Sequence, residues 1–187
     1  MTIMATHQRN RNDAAQDLTE FMREAKTPMG ESLLALTEHQ PRMVVFLRHA
    51  GCPFCREAAA DLAARRERIE ARGVGIVFVH QNSEGEARAF FGKYGLEDLP
   101  RISDPERALY RAFDLKRANL WQIGGPKVWW RSLAAFFKGH RIGRVAGDAF
   151  QMPGVFIVDQ GRIVSAFRHG TQADRPDYED LASCPIT

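Results

Sequence analysis

The apolar residues of this chain fall into three short unbroken runs: Met43-Val44-Val45-Phe46-Leu47, Val74-Gly75-Ile76-Val77-Phe78-Val79 and Val155-Phe156-Ile157-Val158. Runs of this length without polar alternation predict strands buried on both faces of a central sheet. Between the first two, Pro53 to Arg72 is made of strong helix formers. Ala58, Ala59, Leu62 and Ile69 lie along one side, Arg65, Arg66, Glu67, Arg68 and Glu70 crowd the distal end, and Gly73 stops the helix. After the second run, Ser83 with Glu86 three residues on is a capping box, opening a helix that carries Ala89, Phe90 and Tyr94 and stops at Gly95. Asp104-Pro105 predicts an N-cap and first-turn proline for a helix through Leu109, Tyr110 and Phe113. The third run turns at Asp159-Gln160-Gly161 and returns through Arg162 to Phe167, which makes an antiparallel hairpin. A final helix is expected over 176–183.

Two stretches are less regular. Residues 1–40 read as a polar lead-in, partly helical over 13–26 around Ala14, Leu18, Phe21 and Met22. The regularity also lapses over about 117–151, a long excursion for a compact domain. Within it, 126–140 carries Trp129, Trp130, Leu133, Phe136 and Phe137 with Lys127, Arg131 and Lys138 between them, as in an amphipathic helix. That stripe reads as the inner face of a packed helix, with a membrane-surface helix or a self-association face, and hence a homodimer, as the other readings. The order is βαβα, a further helix and the insert, then ββα. A parallel pair followed by an antiparallel hairpin implies an α/β chain of the thioredoxin-like type, with a mixed central sheet, helices on both faces and a helical insert before the last hairpin. The domain proper is expected at 41–187.

Composition changes this picture little. With 187 residues, 44% hydrophobic and 26% charged, the chain has the make-up of one globular domain. A net charge of +3 with scattered Lys and Arg gives no basic patch, so nucleic acid is not an expected partner. No segment approaches the roughly 18 apolar residues of a membrane span, and the polar N-terminus shows no signal sequence. A cytoplasmic location is the expectation.

The chemistry sits between the first strand and the helix after it. Three cysteines are too few for a stapled secreted fold, and two of them, Cys52 and Cys55, are three residues apart. At a helix start this spacing puts both sulfurs within disulfide reach. The first thiol then lies among unpaired N–H groups at the positive end of the helix dipole, which favours the reactive thiolate. Cys52 is therefore the expected exposed nucleophile and Cys55 the buried resolving thiol. Arg48, His49 and Arg56 flank the pair as candidates for lowering its pKa; an exposed loop histidine without that role is the other reading of His49. Half a zinc site is disfavoured, because only Cys184 and the scattered His49, His80, His140 and His169 could complete four ligands. Two inert structural cysteines are the remaining alternative. Cys184 is read as either a third redox thiol or incidental.

Phe46-Leu47-Arg48-His49-Ala50-Gly51-Cys52-Pro53-Phe54-Cys55-Arg56-Glu57 resembles the active-site segment of the peroxiredoxin-like proteins of the AhpC/TSA type, including the selenoprotein-L-related group. Ile102-Ser103-Asp104-Pro105 with Leu109-Tyr110-Arg111-Ala112-Phe113 is similar to the stretch after the third strand of that family, and Pro153 to Asp159 resembles its late hairpin. The resemblance covers about 41–181 and implies a thioredoxin fold with antioxidant or thiol-disulfide activity. Two positions depart from it. The family's Thr or Ser three residues before the cysteine is His49, and its Arg at the start of the late strand is Pro153. A proline at this last place resembles thioredoxin, where it is cis beside the cysteines and its neighbouring backbone receives the substrate. Pro153, Pro53 and Phe54 are thus expected to contact substrate.

These readings imply a thiol-disulfide oxidoreductase or peroxiredoxin-like antioxidant. It would need no cofactor and no metal, and would take a peroxide or disulfide substrate and a thioredoxin- or glutathione-like thiol reductant. With the Thr/Ser and Arg donors absent, disulfide exchange is expected to outpace peroxide reduction. The alternative is a non-catalytic redox-sensing or binding module on the same fold.

Overall fold

In the computed structural model, which describes residues 16–118, 148, 150–171 and 174–183, five strands form one sheet. The elements are α1 (16–24), α2 (Leu33–His39), β1 (Arg42–Phe46), α3 (Pro53–Glu70), β2 (Gly75–His80), α4 (Glu84–Gly92), β3 (Arg101–Ser103), α5 (Ala108–Ala112), β4 (Gly154–Asp159), β5 (Arg162–Arg168) and α6 (Tyr178–Ala182). The sheet order is β3-β2-β1-β4-β5. β1, β2 and β3 are parallel, while β4 runs antiparallel to β1 and β5 antiparallel to β4. This is the mixed α/β architecture expected from the runs.

The continuous apolar strands exist because both faces of the sheet are covered. Met43, Val45, Ile76, Phe78, Val155 and Ile157 face one core, with α3, α4 and α6 packed over them. Val44, Phe46, Val77, Val79, Phe156 and Val158 face the other, under α2, α5 and Met22 of α1. Two successive steps in the same direction from β1 to β3 put α3 and α4 on one side, as right-handed crossovers require. In the second core the rings of Phe46, Phe113 and Phe156 pack at centroid distances of 4.9 to 5.6 Å.

The local signals held in several places. Ser83 and Glu86 form the reciprocal capping box at α4, and Gly73 and Gly95 end their helices with positive φ. The hairpin turn has positive φ at both Gln160 and Gly161, as a two-residue turn of matching twist demands. It is docked on α2 by Gln160 N–H to the Thr37 carbonyl, 3.1 Å, and Gly161 N–H to Thr37 Oγ1, 3.2 Å.

Three elements differ from the sequence expectation. α2 was not foreseen within the lead-in: Ser32 caps it through Ala35 N–H, and Leu33, Leu34 and Leu36 join the core. β3 was also missed, being three residues long with only Ile102 buried. α5 starts at Ala108 instead of at Pro105, after Arg107 adopts a left-handed φ of 62°. Asp104 still serves the helix, accepting from the N–H groups of Ala108 and Leu109 at 2.9 and 2.8 Å across the intervening turn.

The ends of the expected insert meet. Arg117 bridges Gln151, Ala118 N–H bonds the Phe150 carbonyl at 2.7 Å, and Met152 N–H bonds Lys116 at 3.1 Å. The aromatic stripe at 126–140 and Cys184 lie outside the described residues.

Candidate functional site

The site is built where β1 runs out beneath the start of α3. Leu47 N–H still bonds the Val79 carbonyl at 2.9 Å, holding the strand to β2 up to the last residue before the loop. Tyr110, fully buried, donates its hydroxyl between the carbonyls of Leu47 and Val79, pinning the same point from the other face. The loop then closes tightly: Cys52 N–H bonds the His49 carbonyl at 3.0 Å, and Ala50 N–H bonds Asn82 Oδ1 at 3.1 Å.

Cys52 is the N-cap of α3 and Pro53 its first helical residue, where the missing N–H costs nothing. An N-cap side chain faces the free N–H groups of the first turn. The Cys52 side chain closes no cap hydrogen bond, but the backbone N–H groups of Cys55 and Phe54 favour the charged form of its sulfur. Arg48 reaches it from the loop, with Nη1 at 3.5 Å, and the Arg48 backbone N–H donates to Cys55 Sγ at 3.3 Å. The Cys55 thiol, hydrogen-bonded to the Cys52 sulfur, is the largest influence. With Arg48 and the two backbone donors it outweighs burial and holds Cys52 down at about 6. Cys55 is driven the opposite way, well above the ordinary thiol range, by donating that hydrogen bond, by burial and by the neighbouring Cys52 charge. The two thiols titrate as a coupled pair, with Cys52 pushed down and Cys55 pushed up.

Two expectations are corrected here. Cys52 is not exposed: it is 2% accessible, and Cys55 3%. Its cover comes from distant parts of the chain, since Pro153, His169 and Arg175 line the same cavity as both cysteines. Nor is His49 a cation that tunes the thiol. Burial, and then Arg48 and Arg56, hold it at about 4, so it is neutral at physiological pH.

The other sequence candidates separate. Arg48 is at the sulfur. Arg56 spends its Nε–H on the Ala50 carbonyl at 3.1 Å, and its charge is felt by His49. Phe54 lines the cavity, while Pro53 is half-buried and does not. Pro153 is beside the cysteines as expected, but its peptide bond is trans, the ordinary state of an X–Pro bond, as are all described bonds. Among the described residues no cluster of His, Cys, Asp and Glu could hold a metal, and no helix is long and apolar enough to cross a membrane.

Sequence reasoning missed Arg175. It follows β5, donates Nη2 to Glu57 Oε2 at 2.7 Å and to the Phe54 carbonyl at 2.9 Å, and places Nη1 3.5 Å from Asp61. Both carboxylates stand on α3. The partners are more than a hundred residues apart in sequence, so no local pattern announces the contact.

A family model described as AhpC/TSA antioxidant enzyme matches residues 61–171, more than half of the chain, beginning after the cysteine pair. A chloroplastic thioredoxin-like protein, AAED1, of Arabidopsis thaliana is 26% identical over 160 residues, covering 80% of this chain; the chain spans 64% of that relative's length. A prostamide/prostaglandin F synthase of Sus scrofa is 30% identical over 146 residues, covering 75% of this chain and 70% of the relative. Among solved structures, peroxidoxin BcpB of Mycobacterium tuberculosis superposes with a TM-score of 0.58 at 16% identity, covering 84% of this chain and 86% of the other. At that identity the likeness is one of fold.

Proposed function

We propose, for a chain that belongs to the AhpC/TSA antioxidant-enzyme family, that Cys52 is the nucleophile and Cys55 the resolving thiol of a peroxiredoxin-like, thiol-dependent oxidoreductase. One observation carries the reading: Cys52 caps the start of α3 with Arg48 Nη1 3.5 Å from its sulfur, and Cys55 stands one turn on in the same cavity, an arrangement that pushes the Cys52 thiol down and the Cys55 thiol up. A low-pKa thiol beside a high-pKa one divides the roles of attack and resolution.

The thiolate attacks the oxygen of a peroxide, or one sulfur of a disulfide, and the leaving group departs with the electron pair. Cys55 then attacks the Cys52 sulfur, releasing water or the second thiol and closing a Cys52–Cys55 disulfide. A thiol reductant of the thioredoxin or glutathione kind returns both cysteines to the reduced state, so the cycle needs no organic cofactor. The same reading takes 41–187 as the redox domain, with 1–40 as its lead-in and about 117–151 as an insert. Pro153 and Phe54, in the cavity wall, contact the substrate.

Turnover tests it against the alternative of a redox sensor. Reduced protein given excess thiol reductant and substrate should consume many equivalents, and Cys52→Ser should consume none. Oxidation that stops after one equivalent in the presence of reductant would mean a sensor.

A further inference from the structure

Where the ends of the insert meet, an open cavity of about 380 Å³ shares no lining residue with the one at Cys52. Arg107, Arg111, Lys116 and Arg117 line it, and Asp114 is the one acid among its lining residues. Arg107 and Arg117 share a second acid, Asp148, with Arg117 Nε at 2.9 Å. Arg111 spends one Nη–H on the Glu106 carbonyl at 2.7 Å, and neither it nor Lys116 pairs with a carboxylate among the described residues. Four cations therefore face two acids around one concavity. A concave wall of one sign concentrates its field on what enters it.

The wall is held in place by its own chain. Gln151, buried in the lining, donates Nε2 to the carbonyls of Leu115 and Lys116 at 2.9 and 3.4 Å. Arg107 and Asp114, on either side of α5, both adopt left-handed backbone, with φ of 62° and 53°. Residues with side chains visit that region uncommonly, and they gather there where a fold holds a ligand site.

We infer that this cavity binds a small organic phosphate, its phosphoryl group among Arg111, Lys116 and Arg117 and its carbon part against Leu115 and the stems of the basic side chains. A phosphate monoester carries close to two negative charges at neutral pH, which matches the two cations left over once Asp114 and Asp148 are set against the other two. Guanidinium forks meet phosphate oxygens two at a time, and Lys116 adds a point charge. A lone carboxylate brings only one charge to the same wall. The cavity is larger than a bare phosphate needs and lies within the roughly 300–1,000 Å³ of small-molecule sites. Binding here uses neither cysteine.

Titration calorimetry of the full chain with phenyl phosphate tests this, with benzoate as the carboxylate on the same ring. Phenyl phosphate should bind one to a chain with a Kd of about 1 mM or lower, a modest demand for a ligand of its size. Benzoate should bind about tenfold more weakly or less. Arg111→Gln and Lys116→Gln, each at an exposed residue, should weaken phenyl phosphate about tenfold apiece, as the loss of one charge-assisted hydrogen bond does. Arg88→Gln removes the same charge from an exposed position on α4 and should leave the Kd within about twofold, since lone surface charges contribute little. Protein alkylated with iodoacetamide should bind as tightly as unmodified protein. The assignment is overturned by an absence of saturable binding, by equal affinity for benzoate, or by a loss in Arg88→Gln as large as in Arg111→Gln. Binding abolished by alkylation would put the ligand in the cysteine cavity and overturn it as well.

Discussion

Arg48 touches both sulfurs of the site: its Nη1 lies 3.5 Å from Cys52 Sγ, and its backbone N–H donates to Cys55 Sγ at 3.3 Å. One residue therefore couples the charge of the nucleophile to the position of its partner. The side-chain contact stabilises the thiolate electrostatically, whereas the backbone contact orients Cys55 and survives any substitution at position 48 except proline. The two roles can be separated by mutation.

Arg48→Gln should raise the alkylation midpoint of Cys52 from about 6 by on the order of one pH unit, because a nearby cation typically shifts an anionic group by that much. The midpoint should stay below the 9.0 of an ordinary thiol, since the Cys55 hydrogen bond and the helix N–H groups remain. Iodoacetamide rates between pH 4 and 10 give both midpoints. An unmoved midpoint assigns the low pKa to Cys55 and the helix start without Arg48.

Much of this was legible in the sequence, for identifiable reasons. The runs at Met43, Val74 and Val155 became β1, β2 and β4 because both sheet faces are covered, and Ser83 with Glu86 formed the cap they spell. Cys52 stands at the start of α3 as its spacing to Pro53 and Cys55 indicates. What the sequence hid depends on distant contacts. β3 owes its three residues to pairing with β2, not to a pattern of its own. The burial of Cys52, the neutrality of His49 and the placement of Arg175 all come from segments brought together only by the folded sheet.

Glu57 and Arg175 form an ion pair at 2.7 Å whose side chains are 10% and 13% accessible. Removing one partner of such a pair leaves a buried charge poorly compensated, at a cost of about 3–5 kcal/mol. Glu57→Ala should lower the stability of the fold by roughly 3 kcal/mol, the near end of that range because Asp61 still faces the guanidinium. Arg175→Met combined with Glu57→Met should recover most of the loss. Urea unfolding of the variants measures both, and a loss below about 1 kcal/mol would place the pair among weak surface contacts.

Acid should destabilise the fold through its buried histidines. His49 and His80 are held at about 4, in each case first by burial, against 6.5 in the unfolded chain. Above pH 6.5 both states bind no proton there and the contribution is constant. As the pH falls from 6.5 to about 4, the unfolded chain binds protons that the folded one refuses, so stability drops by up to about 1.4 kcal/mol per pH unit per histidine. Below about 4 the loss levels off for these groups. His80→Leu, which removes two ring nitrogens without partners, should flatten the decline and leave stability at pH 7 equal or higher. Unfolding curves at pH 7.0, 5.5 and 4.5 check this, and an identical slope in the variant refutes it.

The central claim is that Cys52 attacks and Cys55 resolves, and trapping tests it most directly. Reduced Cys55→Ser should be mixed with a small aromatic disulfide and the adduct located by peptide mass spectrometry, alongside wild-type protein treated in the same way. The account predicts one stable mixed disulfide per chain at Cys52 in the variant, and an intramolecular Cys52–Cys55 bridge in the wild type. An adduct that forms at Cys184, or a wild-type product dominated by a Cys52–Cys184 or interchain bridge, would contradict it.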